Sequence, residues 1–235
     1  MTTHSITIAP RFNGPPGSGN GGYVCGLMAA RVGGACEASL RAPPPLGVPL
    51  TLDATAEGVA LRDGDTVIGE ARAARLDLTP PPAPSLAEAR AAARRYVGLH
   101  DHRFPTCFVC GAGRPAHDGL DIFTGPVDGA AMVACVWTPG ADLADAAGRV
   151  APEFIHAALD CPSYWALPRA GEIVALLARL TASVDAPLPR VGEDLIVTAW
   201  HLNSDVRKHH AAAALYSADG AVIARSRALW IELKS

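Results

Sequence analysis

Apolar and polar positions along the chain fall into two sets of short strand-like runs, each preceded by one apolar stretch of helical length. The helical stretches span 22–32 and 152–167, and both are apolar nearly all round, which predicts helices buried on several sides. After the first, Leu40-Arg41-Ala42-Pro43 leads through Leu46-Gly47 to Leu50-Thr51-Leu52; after the second, Val184-Asp185-Ala186-Pro187 leads through Val191-Gly192 to Leu195-Ile196-Val197. Each reads as strand, Pro-rich bend, strand. Asp63-Gly64 then precedes Val67-Ile68, and Asp219-Gly220 precedes Val222-Ile223. An Asp-Gly pair between β-branched runs predicts a hairpin, because glycine tolerates the positive φ of a tight turn. The two stretches align with single-residue gaps in these segments, so an internal duplication is expected.

One long apolar helix followed by an antiparallel meander, written twice, is the pattern of an α+β double hotdog, in which each sheet wraps its helix. The expected division is a first repeat over 1–79, a linker and connecting helix over 80–105, and a second repeat over 106–235. Pairing the repeats would cover open sheet edges. The connector begins with Pro80-Pro81-Pro82-Ala83-Pro84 and continues into Ser85-Leu86-Ala87-Glu88, a capping box opening a helix expected to run to about Val97. Its stripe of Leu86, Ala89, Ala93 and Val97 should rest on the sheet, with Arg90, Arg94 and Arg95 toward solvent.

Composition narrows the function classes. A hydrophobic share of 49% supports a packed core, and a formal charge of −3 without a dense Lys/Arg run gives no cationic face for a nucleic-acid backbone. No membrane-spanning run and no export signal are read, so a cytoplasmic protein acting on a small molecule is expected. The six cysteines are then expected as free thiols.

Cys107-Phe108-Val109-Cys110-Gly111, Asp118-Gly119-Leu120-Asp121-Ile122-Phe123 and Ala157-Ala158-Leu159-Asp160 together resemble the PaaI-like hotdog thioesterases. In that family the helix begins with His-Gly-Gly, and a carboxylate lies about two turns further along it. The two repeats divide these elements. The first has Asn20-Gly21-Gly22-Tyr23 at its helix start, with Ala29 and Ala30 where the acid should fall; the second has Asp160, with Ala151-Pro152-Glu153 in place of the glycines.

The resemblance implies a shared site in which Gly21 and Gly22 of one repeat approach Asp160 of the other. Bare first-turn amides at a helix N-terminus suit a carbonyl oxygen gaining negative charge, and a carboxylate can act as base or nucleophile. The expected activity is hydrolysis of an acyl thioester, acyl-CoA or an acyl carrier thioester, by one surviving site and without a cofactor. The equivalent second site would lack an N–H at Pro152 and an acid at Ala29 or Ala30. Asn20 can cap the helix or donate to substrate, Asp160 can instead cap or pair within the interface, and Tyr23, His156, Tyr164 and Trp165 are further candidates for the substrate pocket.

Other constellations stay in view. Cys107 and Cys110 with His100, His102 and His117 offer zinc-like spacing, but without a second C-x-x-C no metal is expected. His156 and Asp160 share a helix face. Arg207-Lys208-His209-His210 can meet a CoA phosphate or simply charge an edge strand. A non-catalytic acyl-binding protein is the main alternative. A hydratase would carry D-x-N-P-x-H, which is missing, and a purely structural partner would enclose no apolar cavity. Assembly into a homo-oligomer is left open.

Overall fold

Both Asp-Gly pairs turn the chain where the alternation predicts, with Gly64 at φ 54° and Gly220 at φ 87°. The computed structural model describes residues 3–234. Its strands are β1 (Thr3–Thr7), β2 (Cys36–Leu40), β3 (Pro49–Ala54), β4 (Gly58–Asp63), β5 (Thr66–Ala73), β6 (Gly125–Pro126), β7 (Val133–Trp137), β8 (Ala175–Val184), β9 (Leu195–Asp205), β10 (Lys208–Ser217) and β11 (Val222–Glu232). They form one antiparallel sheet in the order β1-β3-β4-β5-β2-β8-β11-β10-β9-β7-β6. The seam is β2 against β8, where Cys36 faces Ala182 and Ser39 faces Arg179. Each half thereby closes the other's open edge.

The duplication extends to single backbone hydrogen bonds. Arg41 N–H donates to Ile68 O at 2.8 Å, and Asp185 N–H to Ile223 O at 2.8 Å. Gly19 N–H reaches Pro44 O at 2.8 Å where Val150 N–H reaches Pro189 O at 2.9 Å, and Gly47 N–H reaches Ile8 O where Gly192 N–H reaches Pro139 O. Corresponding bonds on corresponding residues set Asn20 opposite Ala151 in the repeat, and Gly21 opposite Pro152.

The α-helices among the described residues are α1 (Gly21–Val32), α2 (Leu86–Ala93), α3 (Pro152–Ala158) and α4 (Cys161–Trp165). Helix α1 lies against β2, β4, β5 and β8, and α4 against β7, β9 and β10. On the other face of the sheet, Ala89 and Ala92 of α2 pack on Ala134, Ile196, Ala214 and Tyr216. The run Ala211 to Ala214 of β10 is fully buried because both faces of that strand are covered. Small side chains allow both helical layers to sit close.

The structure departs from two helix expectations. The stretch 152–167 is two helices, because Pro162 supplies no N–H to the Ala158 carbonyl and its ring crowds that position; Asp160 sits in the break at φ −82° and ψ −82°. The connecting helix ends at Ala93, short of Val97, which is 48% exposed. Tyr96 turns inward there and donates its hydroxyl to Cys110 O at 2.7 Å. The capping box is present, and Arg90, Arg94 and Arg95 are exposed. No helix among the described residues is long and apolar enough to cross a membrane.

Helices α1 and α3 run antiparallel in close approach, made by two glycines four apart. A Cβ on Gly22 would lie 2.4 Å from Asp160 Cβ, and one on Gly26 would lie 2.5 Å from Glu153 Cα. Glycine inside a helix costs about 1 kcal/mol relative to alanine, so the approach is maintained against local propensity. Gly26→Ala should therefore destabilise the protein by roughly 1–3 kcal/mol despite its better helix propensity. A lower urea midpoint with an unchanged slope is the expected readout; a midpoint at or above wild type would remove the packing constraint.

Candidate functional site

Asn20 ends the loop before α1 in extended conformation, and its Oδ1 accepts from Tyr23 N–H at 2.9 Å, which caps the helix. Its other amide atom faces the opposite way. Asn20 Nδ2 donates to Asp160 Oδ2 at 3.0 Å, and Gly22 N–H donates to the same oxygen at 2.9 Å. Asn20 thus caps the helix, and the amide that the sequence offered to a substrate is donated to a carboxylate of the other repeat. Asp160 is 1% exposed, and its second oxygen, Oδ1, has no hydrogen-bond partner. Burial pushes this carboxyl up to about 7, opposed by the Gly22 and Asn20 donors and assisted by the nearby Cys107.

A cavity of about 420 Å³ opens beside this contact, bordered by Asn20, Gly21 and Asp160 on one wall. Leu40, Leu177 and Trp230 are among the apolar residues of its remaining walls, and Arg41 and Arg103 also border it. Arg41 pairs with Glu70 at 3.1 Å, whereas Arg103 donates to the backbone carbonyls of Gly171 and Glu172. As the first residue of α1, Gly21 has an N–H without an acceptor inside the helix, and that amide lies at the positive end of the helix dipole. An apolar chamber with one carboxylate and one bare helix terminus can hold an acyl chain with its carbonyl at the polar wall.

The geometry corrects the expected role of Gly22. Its N–H is taken by Asp160 Oδ2 with no gap between them, and Gly22 is not among the cavity-bordering residues. A carbonyl cannot enter that contact; Gly22 instead permits the approach of Asp160. The remaining pocket candidates divide. Tyr164 borders the cavity, its hydroxyl donating to Ile173 O at 2.7 Å and accepting from Gly171 N–H. Tyr23 does not; it stacks on Phe12 at 4.5 Å within an aromatic cluster with Phe108 and Phe154. Trp165 also points away from the cavity, edge-on to Tyr96 at 4.7 Å. His156 is buried against α1, with Nδ1 3.0 Å from Pro152 O, and burial lowers its pKa. It does not meet Asp160 as a base and orienter would.

Of the four basic residues 207–210, none borders the cavity, although Lys208 and His209 pair with Ile231 and Trp230, which do. His209 is bonded to Ser204 and Glu232. Among the zinc-like residues, His100 and His117 are exposed, while Cys107 and Cys110 are buried beside a third cysteine, Cys161. Sequence reasoning missed two residues here. Gly26 carried a signal, the spacing of four from Gly22; Cys161 carried none, because only folding brings it to the C-x-x-C turn.

No protein-family model matches the sequence, and no curated protein matches it. Solved structures do. A hotdog-fold protein of unknown function from Alicyclobacillus acidocaldarius is 13% identical, with 99% of this chain and 94% of that chain covered at a TM-score of 0.63. A tesB protein from Mycobacterium avium subsp. paratuberculosis is 13% identical over 99% and 93% at 0.63. An acyl-CoA thioesterase II from Mycobacterium marinum is 11% identical over 99% and 93% at 0.60. With the repeated backbone bonds and the shared sheet, these likenesses identify the architecture as an α+β double hotdog.

Proposed function

We propose that the protein hydrolyses acyl thioesters of the acyl-CoA type at a single site between its two repeats. The observation that carries this reading is Asp160, a buried carboxylate with an unpartnered Oδ1 that borders an apolar cavity next to the first-turn amide of Gly21. The Asn20 and Gly22 donors bind Oδ2, so they fix the carboxylate and favour its charged form while Oδ1 keeps its lone pairs for chemistry. In the reaction, Oδ1 takes a proton from water as the water oxygen attacks the thioester carbon. Charge on the carbonyl oxygen is held by Gly21 N–H, and as the C–S bond breaks the proton on Oδ1 passes to the sulfur, which leaves as the thiol and returns Asp160 to its carboxylate form. The acyl chain lies among Leu40, Leu177 and Trp230, and Arg103 at the cavity meets phosphate groups of the carrier. The fold shared with an acyl-CoA thioesterase II is in keeping with this substrate class.

The opposite helix start supports a single site. Pro152 occupies the position of Gly21 without an N–H, Ala151 provides no capping side chain, and Ala29 stands where Asp160 does in the other repeat. One observation favours non-catalytic acyl binding instead: the Gly22 amide is already engaged by Asp160, leaving one bare helix amide at the carbonyl. Turnover decides between these readings, since a binder takes acyl-CoA into the cavity and releases it unchanged.

Asp160→Asn keeps the size of the side chain and should lower kcat for acyl-CoA hydrolysis by roughly 10²–10⁴-fold with a small change in KM. Unchanged circular dichroism and melting temperature would establish that the variant is folded, and undiminished turnover would remove Asp160 from the chemistry. Ala178→Phe, which fills the cavity from β8, should raise KM for long acyl chains more than for short ones. Equal effects across a chain-length series would place the acyl group elsewhere.

A further inference from the structure

Three sulfurs converge beneath the Asp160 wall. Cys107 and Cys110 come from the turn before the second repeat's strands and Cys161 from the start of α4; their Sγ atoms all lie within 4.8 Å of one another. Cys107 Sγ and Cys161 Sγ are 3.6 Å apart. Zinc–sulfur bonds of about 2.3 Å at tetrahedral angles set sulfurs about 3.8 Å apart, so this spacing is that of ligands on one ion. All three residues are buried and all three border the cavity.

The surroundings of the sulfurs are donors. Asn20 Nδ2 lies 3.6 Å from Cys161 Sγ and 4.0 Å from Cys107 Sγ. His102 Nε2 lies between Cys110 O at 3.1 Å and Cys110 Sγ at 3.3 Å, and the backbone amides of Val109 and Cys110 face Cys107. His102 Nδ1 accepts from Phe104 N–H at 3.0 Å, which leaves the ring proton on Nε2 and makes that atom a donor too. As thiols, Cys161 would have Asp160 Oδ2 at 3.9 Å as an acceptor and the Cys107–Cys161 pair could share one S–H at 3.6 Å, both long, weak contacts. N–H groups aimed at sulfur are instead what thiolates require, and they form the outer layer that orients ligands at thiolate metal centres.

We propose that Cys107, Cys110 and Cys161 bind one zinc ion as thiolates, with the fourth position on the cavity side held by water or a ligand. The proposal does not depend on thioester hydrolysis. The site joins the 107–110 turn to the start of α4, so it fixes the break in the helix where Asp160 sits. His102 and Asn20 are positioning residues, holding the sulfurs through hydrogen bonds without touching the ion.

The test uses the full chain, stripped of metal under reducing conditions and titrated with Co²⁺ as a spectroscopic stand-in for zinc. The expected result is an intense near-ultraviolet thiolate-to-cobalt band and tetrahedral visible bands saturating at one ion per chain, all displaced by added Zn²⁺. Cys161→Ser should weaken Co²⁺ binding at least a hundredfold, Cys135→Ala should leave it unchanged, and His102→Ala should weaken it by about 10–100-fold. The wild-type spectrum decides even if a variant does not fold. Absence of a thiolate-to-cobalt band in reduced wild-type protein, or Cys161→Ser binding Co²⁺ as well as wild type, overturns the site.

Discussion

The arrangement at the centre of this protein depends on one contact, the N-terminus of α1 against the Asp160 carboxylate of the other repeat. A helix start carries unpaired amides and partial positive charge, and a carboxylate is its natural partner. Here the partner is buried, so the contact has to satisfy most of the desolvated charge. Gly22 and Asn20 satisfy Oδ2, and the cavity adjoins a carboxylate whose Oδ1 remains unsatisfied. Everything else near the site serves that contact. Gly22 and Gly26 let α1 and α3 touch, Pro162 breaks the helix so that Asp160 can face across, and the β2–β8 seam holds the halves in register.

The architecture was legible because it is written twice in chemistry that local rules read well. Asp63-Gly64 and Asp219-Gly220 announce hairpins, and Gly47 and Gly192 mark matching positive-φ positions before β3 and β9. The pairing of Asn20-Gly21-Gly22 with Asp160 was also legible, through the unequal distribution of motif elements between repeats. The strands β1, β6 and β7 were not singled out. All three are short, β1 and β6 lie at the two edges of the sheet with β7 next to β6, and Gly125-Pro126 has no strand pattern of its own. Its place is set by pairing with β7 and by α2 lying over it.

What stayed hidden was the occupancy of space. Nothing in the order of residues says that Gly22 N–H is consumed by Asp160 rather than left for a carbonyl, since that depends on how closely two helices approach. Tyr23 sits two residues from the cavity-bordering Gly21 and Trp165 one residue from Tyr164, yet a helix turns successive side chains through a wide angle and delivers them to aromatic packing instead. The cysteines show the same effect in the opposite direction. A lone C-x-x-C is a weak signal, and its third member becomes visible only where α4 begins beside it.

The most direct measurement is a crystal structure with a non-hydrolysable 2-oxoalkyl-CoA, a ketone in which a methylene group separates the carbonyl from the sulfur. The acyl chain should fill the cavity, with the carbonyl oxygen at hydrogen-bond distance from Gly21 N–H and an ordered water, or the carbonyl carbon itself, within about 3.5 Å of Asp160 Oδ1. An analogue bound with its carbonyl away from the α1 terminus, with Asp160 still enclosed and facing no substrate atom, would contradict a hydrolytic site between the repeats.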